Sequence, residues 1–206
     1  MEITLEKIGK RFNREWIFRH ITYTLESGKS YAIIGSNGSG KSTLLQLIAG
    51  KLMPTEGSIN FKHNNKEIAV DKIFRHLTLA SPYLDLYEEL TLNEAIEFHF
   101  GFKSLWPGME IKDIPYKIGL PHNEGKYLYE FSSGMKQRLK LGLAIFSNTE
   151  ILLLDEPLSN LDKDGFRWYS EAMEQYRNNR LTVVCSNTNQ REYSFCDQSI
   201  LVENFK

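Results

Sequence analysis

The octapeptide Gly35-Ser36-Asn37-Gly38-Ser39-Gly40-Lys41-Ser42 constrains this chain more than any other stretch, because it satisfies G-x-x-x-x-G-K-[ST] at every fixed position. Backbone N–H groups converge on an anion only where side chains are absent and φ is unrestricted, which Gly35, Gly38 and Gly40 allow. The loop follows a short apolar run, Tyr31 to Ile34. It precedes Thr43 to Ala49, where Leu44, Leu45, Leu47 and Ile48 carry an apolar helix pattern up to Gly50. A strand, a glycine-rich loop and a helix in that order aim a helix N-terminus at bound phosphate. Lys41 supplies a mobile full charge to the β and γ phosphates, and the Ser42 hydroxyl suits Mg²⁺. The predicted ligand is a magnesium nucleotide contacted by the segment Gly35 through Thr43.

A second acidic motif strengthens that reading. Ile151 to Leu154 are four aliphatic residues running into Asp155-Glu156, which puts two carboxylates at the exit of a buried strand. Asp155 is expected in the Mg²⁺ shell, and Glu156 as general base towards water. Leu181 to Cys185 forms a second buried apolar run, joined to the first by a crossover helix expected from about Asp164 to Asn178. The predicted class is α/β, a P-loop NTPase core with a mostly parallel sheet. Ile3, Leu5, Ile21, Tyr23 and Leu25 add half-buried positions of an N-terminal antiparallel β subdomain, closed by a turn at Ser27-Gly28-Lys29. Helical spacing from Leu92 through Ile145 predicts a helical subdomain spanning about 83–145.

At 206 residues without repeats or a Pro/Ser-rich linker, the chain is expected to form one domain over 1–206. Its 25 basic and 26 acidic residues nearly cancel, which argues against binding to nucleic acid or directly to an anionic membrane. No signal-peptide pattern or membrane span is evident, so a cytoplasmic location is expected, with any membrane contact made through a partner. Cys185 and Cys196 lack metal-ligand spacing and are expected to be reduced core thiols.

Phe131-Ser132-Ser133-Gly134-Met135-Lys136-Gln137-Arg138 resembles the signature of ATP-binding cassette (ABC) proteins, and the resemblance covers nearly the whole chain. It implies that the nucleotide is ATP, hydrolysed with Mg²⁺ to drive an integral membrane permease. In that family the signature meets the γ-phosphate of a partner's ATP across a head-to-tail dimer, here a homodimer or a heterodimer. Ser132 and Gly134 fall on the serine and second glycine of the usual Leu-Ser-Gly-Gly-Gln core, whereas Ser133 replaces the first glycine. The resemblance further implies that Asp162 aligns the two sites and that Phe12 stacks on adenine, with Trp16 as a competitor. Tyr83, Leu84, Leu86 and Tyr87 are either permease contacts or core.

Two family residues are missing. Ala80-Ser81-Pro82-Tyr83 carries no glutamine where the family places a Mg²⁺ contact, and Ser81 or water is expected to substitute. Asn187 stands where the family has a histidine on the γ-phosphate, as a neutral and weaker donor. Slow hydrolysis is therefore expected. The alternatives are a soluble cassette ATPase outside transport and a weakly hydrolysing, nucleotide-dependent regulatory module.

Overall fold

The computed structural model describes residues 1–187 and 189–206. Its regular elements in chain order are β1 (Glu2–Phe12), β2 (Glu15–Glu26), β3 (Ser30–Ile34), α1 (Lys41–Ile48), β4 (Glu56–His63), β5 (Lys66–Ile68) and β6 (Leu77–Ala80). These are followed by α2 (Leu92–Phe100), α3 (Ile114–Lys117), α4 (Ser133–Ile145), β7 (Ile151–Asp155), α5 (Lys163–Tyr176), β8 (Leu181–Ser186) and β9 (Gln198–Leu201).

The strands form two sheets. One is antiparallel in the order β2-β1-β4-β5, and the other is parallel in the order β6-β7-β8-β3-β9. This is the mixed α/β architecture expected from the sequence. In the antiparallel sheet Ile3, Leu5, Ile21 and Leu25 are fully buried and Tyr23 only partly, so one face packs inward and the other meets solvent. Every residue of β7 and β8 is buried. Successive side chains point to opposite faces, so Ile151 and Leu153 join one core with α1 and the antiparallel sheet, while Leu152 and Leu154 join another with α2, α4 and α5. Burying all of this apolar run is what commits it to a central parallel strand.

The crossover helix α5 links β7 to β8 as predicted. The segment expected to be helical from Leu92 through Ile145 resolves into α2, α3 and α4, separated by turns. Breakers explain the interruption: positive φ at Gly108, Gly119 and His122 takes the backbone out of helical space, and Pro107 and Pro121 lack an N–H to donate. The apolar residues there still reach the core, among them Ile114, Ile118, Leu120 and Leu128. Their spacing marks packing into one core across several short helices and the turns between them.

The registers Ile34↔Ser186 and Asp155↔Cys185 align the C-terminal ends of β3, β8 and β7. That edge carries the chemistry.

Candidate nucleotide-binding site

Gly40 caps the N-terminus of α1 with φ 107°, and a Cβ there would approach Ile17 Cγ2 to 2.4 Å. Only glycine fits the turn that brings the loop over the helix end. Lys41 is 95% buried with its Nζ donating to the carbonyls of Gly35 and Ser36, each at 3.0 Å, so its ammonium lies inside the curl of the loop. Ile17, Asn37, Gly38, Gly40, Lys41, Ser42, Thr43, Tyr83 and Glu156 line one cavity at this edge. Gly35, Ser36 and Ser39 shape the loop from behind; the Ser39 hydroxyl is buried without a partner.

Asp155 ends β7 with 4% of its surface exposed. Its Oδ2 accepts from Ser81 Oγ at 3.4 Å and the Ser42 hydroxyl bonds the same carboxyl, while Oδ1 is buried without a partner. Burial raises the Asp155 pKa above the ordinary carboxylate value, opposed by the Ser42 bond. A buried carboxylate oxygen without a donor, beside two hydroxyls and with no nitrogen or sulfur ligand, fits a hard dication such as Mg²⁺. Ser81 sits where the missing glutamine was expected to be replaced.

Glu156 adopts φ 44°, a left-handed conformation costly for a residue with a Cβ, while its N–H continues the ladder to the Cys185 carbonyl at 2.9 Å. The turn swings its side chain off the strand axis and into the cavity wall. Asn187 follows β8 half-buried and is not among the residues lining that cavity.

A second group of predicted residues lies apart from the loop. Ser132 is the N-cap of α4, accepting from the Met135 N–H at 3.3 Å, and both Ser132 and Ser133 are exposed. A Cβ on Gly134 would stand 2.9 Å from the Asn160 carbonyl, so the first turn of α4 rests directly on the turn after β7. Gln137, buried, donates to the Pro157 carbonyl at 3.0 Å and fastens the same contact. Asp162 caps α5 by accepting the Gly165 N–H at 2.8 Å and pairs with Arg138 at 2.8 Å. Those two bonds, the backbone one first, hold its carboxyl below the usual range. Within one chain Ser132, Ser133, Gly134 and Asp162 therefore do not line the phosphate cavity.

Phe12 is 46% exposed at the end of β1. The Trp16 ring is covered by the guanidinium of Arg19 at 4.2 Å and approached by that of Arg11 at 5.3 Å, whereas the Phe12 ring has one cation over it, the Lys10 ammonium at 5.1 Å, and is the less covered of the two. Tyr83 and Tyr87 are largely exposed, whereas Leu84 and Leu86 are half-buried. Tyr87, Phe98 and Phe102 stack edge to face at 5.5 and 5.3 Å and, with Leu86 and Leu90, border an apolar groove on α2. Among the described residues no helix is long and apolar enough to cross a membrane.

Three site residues escaped the sequence reading. Ile17 and Glu203 reach the loop from β2 and from the turn after β9, and nothing in their local sequence marks them. Tyr83 was singled out as a partner contact but also lines the phosphate cavity.

The sequence model of the ABC transporter family matches residues 18–159. The chain is 32% identical over 202 residues to an uncharacterised ABC transporter ATP-binding protein, YybJ, of Bacillus subtilis, covering 95% of this chain and 89% of that one. It is 26% identical to the lantibiotic transport ATP-binding protein SrtF of Streptococcus pyogenes, covering 89% and 79% of the two chains. A solved structure of a putative ABC transporter ATP-binding protein from Pyrococcus furiosus superposes with a TM-score of 0.83 at 20% identity, over 100% of both chains.

Proposed function

This chain belongs to the ABC transporter family, and from that premise we propose that it is the ATP-hydrolysing subunit that energises a separate membrane permease. The observation that carries the reading is the conjunction at one sheet edge of a buried Lys41, a buried Asp155 oxygen without a partner beside Ser42, and Glu156 turned into the same cavity. Gly35 to Thr43 cradle the phosphates with backbone amides and the α1 terminus. Mg²⁺, held by Ser42 and Asp155, supplies charge neutralisation of the phosphoryl oxygens. Glu156 accepts a proton from the attacking water, and Phe12 stacks on the adenine.

The exposed Ser132 and Ser133, with the half-buried Gly134 behind them at the start of α4, complete the site of a second cassette subunit. A helix N-terminus whose first turn is exposed suits an anion delivered from outside. Asp162, fixed by Arg138, orients the turn that faces that subunit. The apolar groove bordered by Leu86, Tyr87, Phe98 and Phe102 receives the permease, which places the protein on the cytoplasmic face of the membrane without inserting into it.

Asn187 offers a neutral donor in place of a cationic one, so turnover is slow but real. Phosphate release in the presence of the permease tests the assignment. Glu156→Gln is expected to lower turnover by about 10²-fold or more with nucleotide binding retained, and Asn187→His to raise it. Unchanged rates in both variants would remove the hydrolytic site from this edge.

A further inference from the structure

On the edge of the parallel sheet opposite the nucleotide, His63, His76 and Glu150 converge from three separate parts of the chain. His63 is the last residue of β4, His76 directly precedes β6, and Glu150 directly precedes β7. One ligand atom from each lies within 4.8 Å of the others. Both oxygens of Glu150 face imidazoles, Oε1 at 3.8 Å from His63 Nδ1 and Oε2 at 3.3 Å from His76 Nδ1. The two rings meet edge to face with centroids 5.4 Å apart.

We propose that His63, His76 and Glu150 form a binding site for a borderline transition-metal dication of the Zn²⁺ type, separate from the Mg-nucleotide site. The donor set decides the metal class. Two imidazole nitrogens and one carboxylate select zinc and its neighbours, whereas Mg²⁺ and Ca²⁺ require oxygen ligands. The nucleotide edge offers the reverse, a carboxylate and hydroxyls only.

The site is held by backbone bonding rather than assembled by the ion. The Ile151 N–H donates to the His76 carbonyl at 3.0 Å and the Leu181 N–H to the Glu150 carbonyl at 2.9 Å, which locks two ligands into the sheet. His63 pairs with Lys66 across the β4–β5 hairpin. The three side chains are 30%, 26% and 36% exposed, so a metal can enter and keep water in its remaining positions. Among the described residues no lysine or arginine forms an ion pair with Glu150. The nearby cations are bonded elsewhere: Lys103 donates to the carbonyls of Phe74 and Leu77, and Arg180 to those of Ile145 and Thr149.

An ion held there would join β4 of the antiparallel sheet to the starts of β6 and β7 in the parallel sheet. It stabilises the folded chain by mass action, because the three ligands are scattered in the unfolded chain.

The test uses the full chain, freed of metal with a chelator, without nucleotide. Titration with ZnCl₂ by calorimetry is expected to show one site per chain and a rise in melting temperature, with millimolar MgCl₂ not competing. His63→Ala, His76→Ala and Glu150→Ala should each weaken that affinity at least tenfold, while His122→Ala should not. Co²⁺ provides a readout on the wild-type chain that needs no variant to fold, since four- or five-coordinate ligation by two imidazoles, a carboxylate and water gives visible bands much stronger than, and red-shifted from, those of the free aqua ion. No zinc heat, a cobalt spectrum no stronger than that of the free aqua ion, or equal zinc affinity in the three variants and the wild type would each overturn the proposal.

Discussion

Glu203 Oε1 accepts two hydrogen bonds from one residue of the phosphate loop, from the Ser36 N–H at 2.6 Å and from the Ser36 hydroxyl at 2.9 Å. The backbone bond is the main reason its carboxyl is held below the usual range. A residue far away in sequence thereby fixes the first peptide of a loop whose remaining amides must already point inward when phosphate arrives. Glu203→Ala is expected to weaken Mg-ATP binding roughly tenfold, the order of one charge-assisted hydrogen bond, and Glu203→Gln to lose less because an acceptor oxygen remains. Titration with a fluorescent nucleotide reads both. Equal affinity in all three proteins would show that the loop needs no such tether.

His99 carries the pH dependence. Its Nε2 bonds Ser147 Oγ at 2.9 Å, and burial, reinforced by the charge of Lys103, pushes its pKa down from 6.5 to about 4. The unfolded chain binds this proton more readily than the folded one, so the stability contributed by neutral His99 is complete above pH 6.5 and lost as pH falls towards 4. The loss is on the order of 2–3 kcal/mol. Thermal unfolding across that range should fall more steeply for the wild type than for His99→Gln. Parallel curves would contradict the assignment.

Arg180 holds the base of the α4 side together. Only 3% exposed, it donates to the carbonyls of Thr149 and Ile145 and to the Thr149 hydroxyl, each at 2.9 Å. Burial lowers its pKa to about 10, which still leaves it charged at neutral pH. Arg180→Met keeps much of the volume and strands these acceptors, at about 1–3 kcal/mol for each buried group left without a partner. Urea unfolding is expected to show a total loss of about 3 kcal/mol or more. A loss under about 1 kcal/mol would mean that water satisfies the carbonyls.

Gly134 tests the contact between α4 and the turn after β7. A Cβ 2.9 Å from the Asn160 carbonyl forces the backbone apart, although alanine is the better helix former. In the assembled transporter Gly134→Ala should lower ATP turnover at least tenfold, while the isolated chain binds Mg-ATP within about twofold of the wild type. Full turnover would show that the close approach is packing alone.

The parts of this molecule legible in the sequence are those written in consecutive residues. The glycines and Lys41 of the loop, between a strand and a helix, and the aliphatic run into Asp155 each state their geometry locally, and each stands in the element the sequence predicts. The parts that escaped depend on strands that are neighbours in space only. Glu203 meets Ser36 because β9 pairs with β3. His63, His76 and Glu150 meet because two sheets bring distant strand ends together, and no spacing rule anticipates that. The stretch between α2 and α4 was legible as part of a helical subdomain but not in its breaks, since its apolar residues reach the core from a short helix and from turns alike.

Calorimetric titration of the chain with Mg-ATP, beside Lys41→Ala shown by circular dichroism to be folded, is the most direct trial of the claim that this loop binds triphosphate. Saturable one-to-one binding is expected for the wild type and a loss of at least a hundredfold in the variant, whose loop keeps its amides but loses the ammonium between the Gly35 and Ser36 carbonyls. Wild-type binding that survives unchanged in Lys41→Ala, or no binding by the wild type at all, would contradict it.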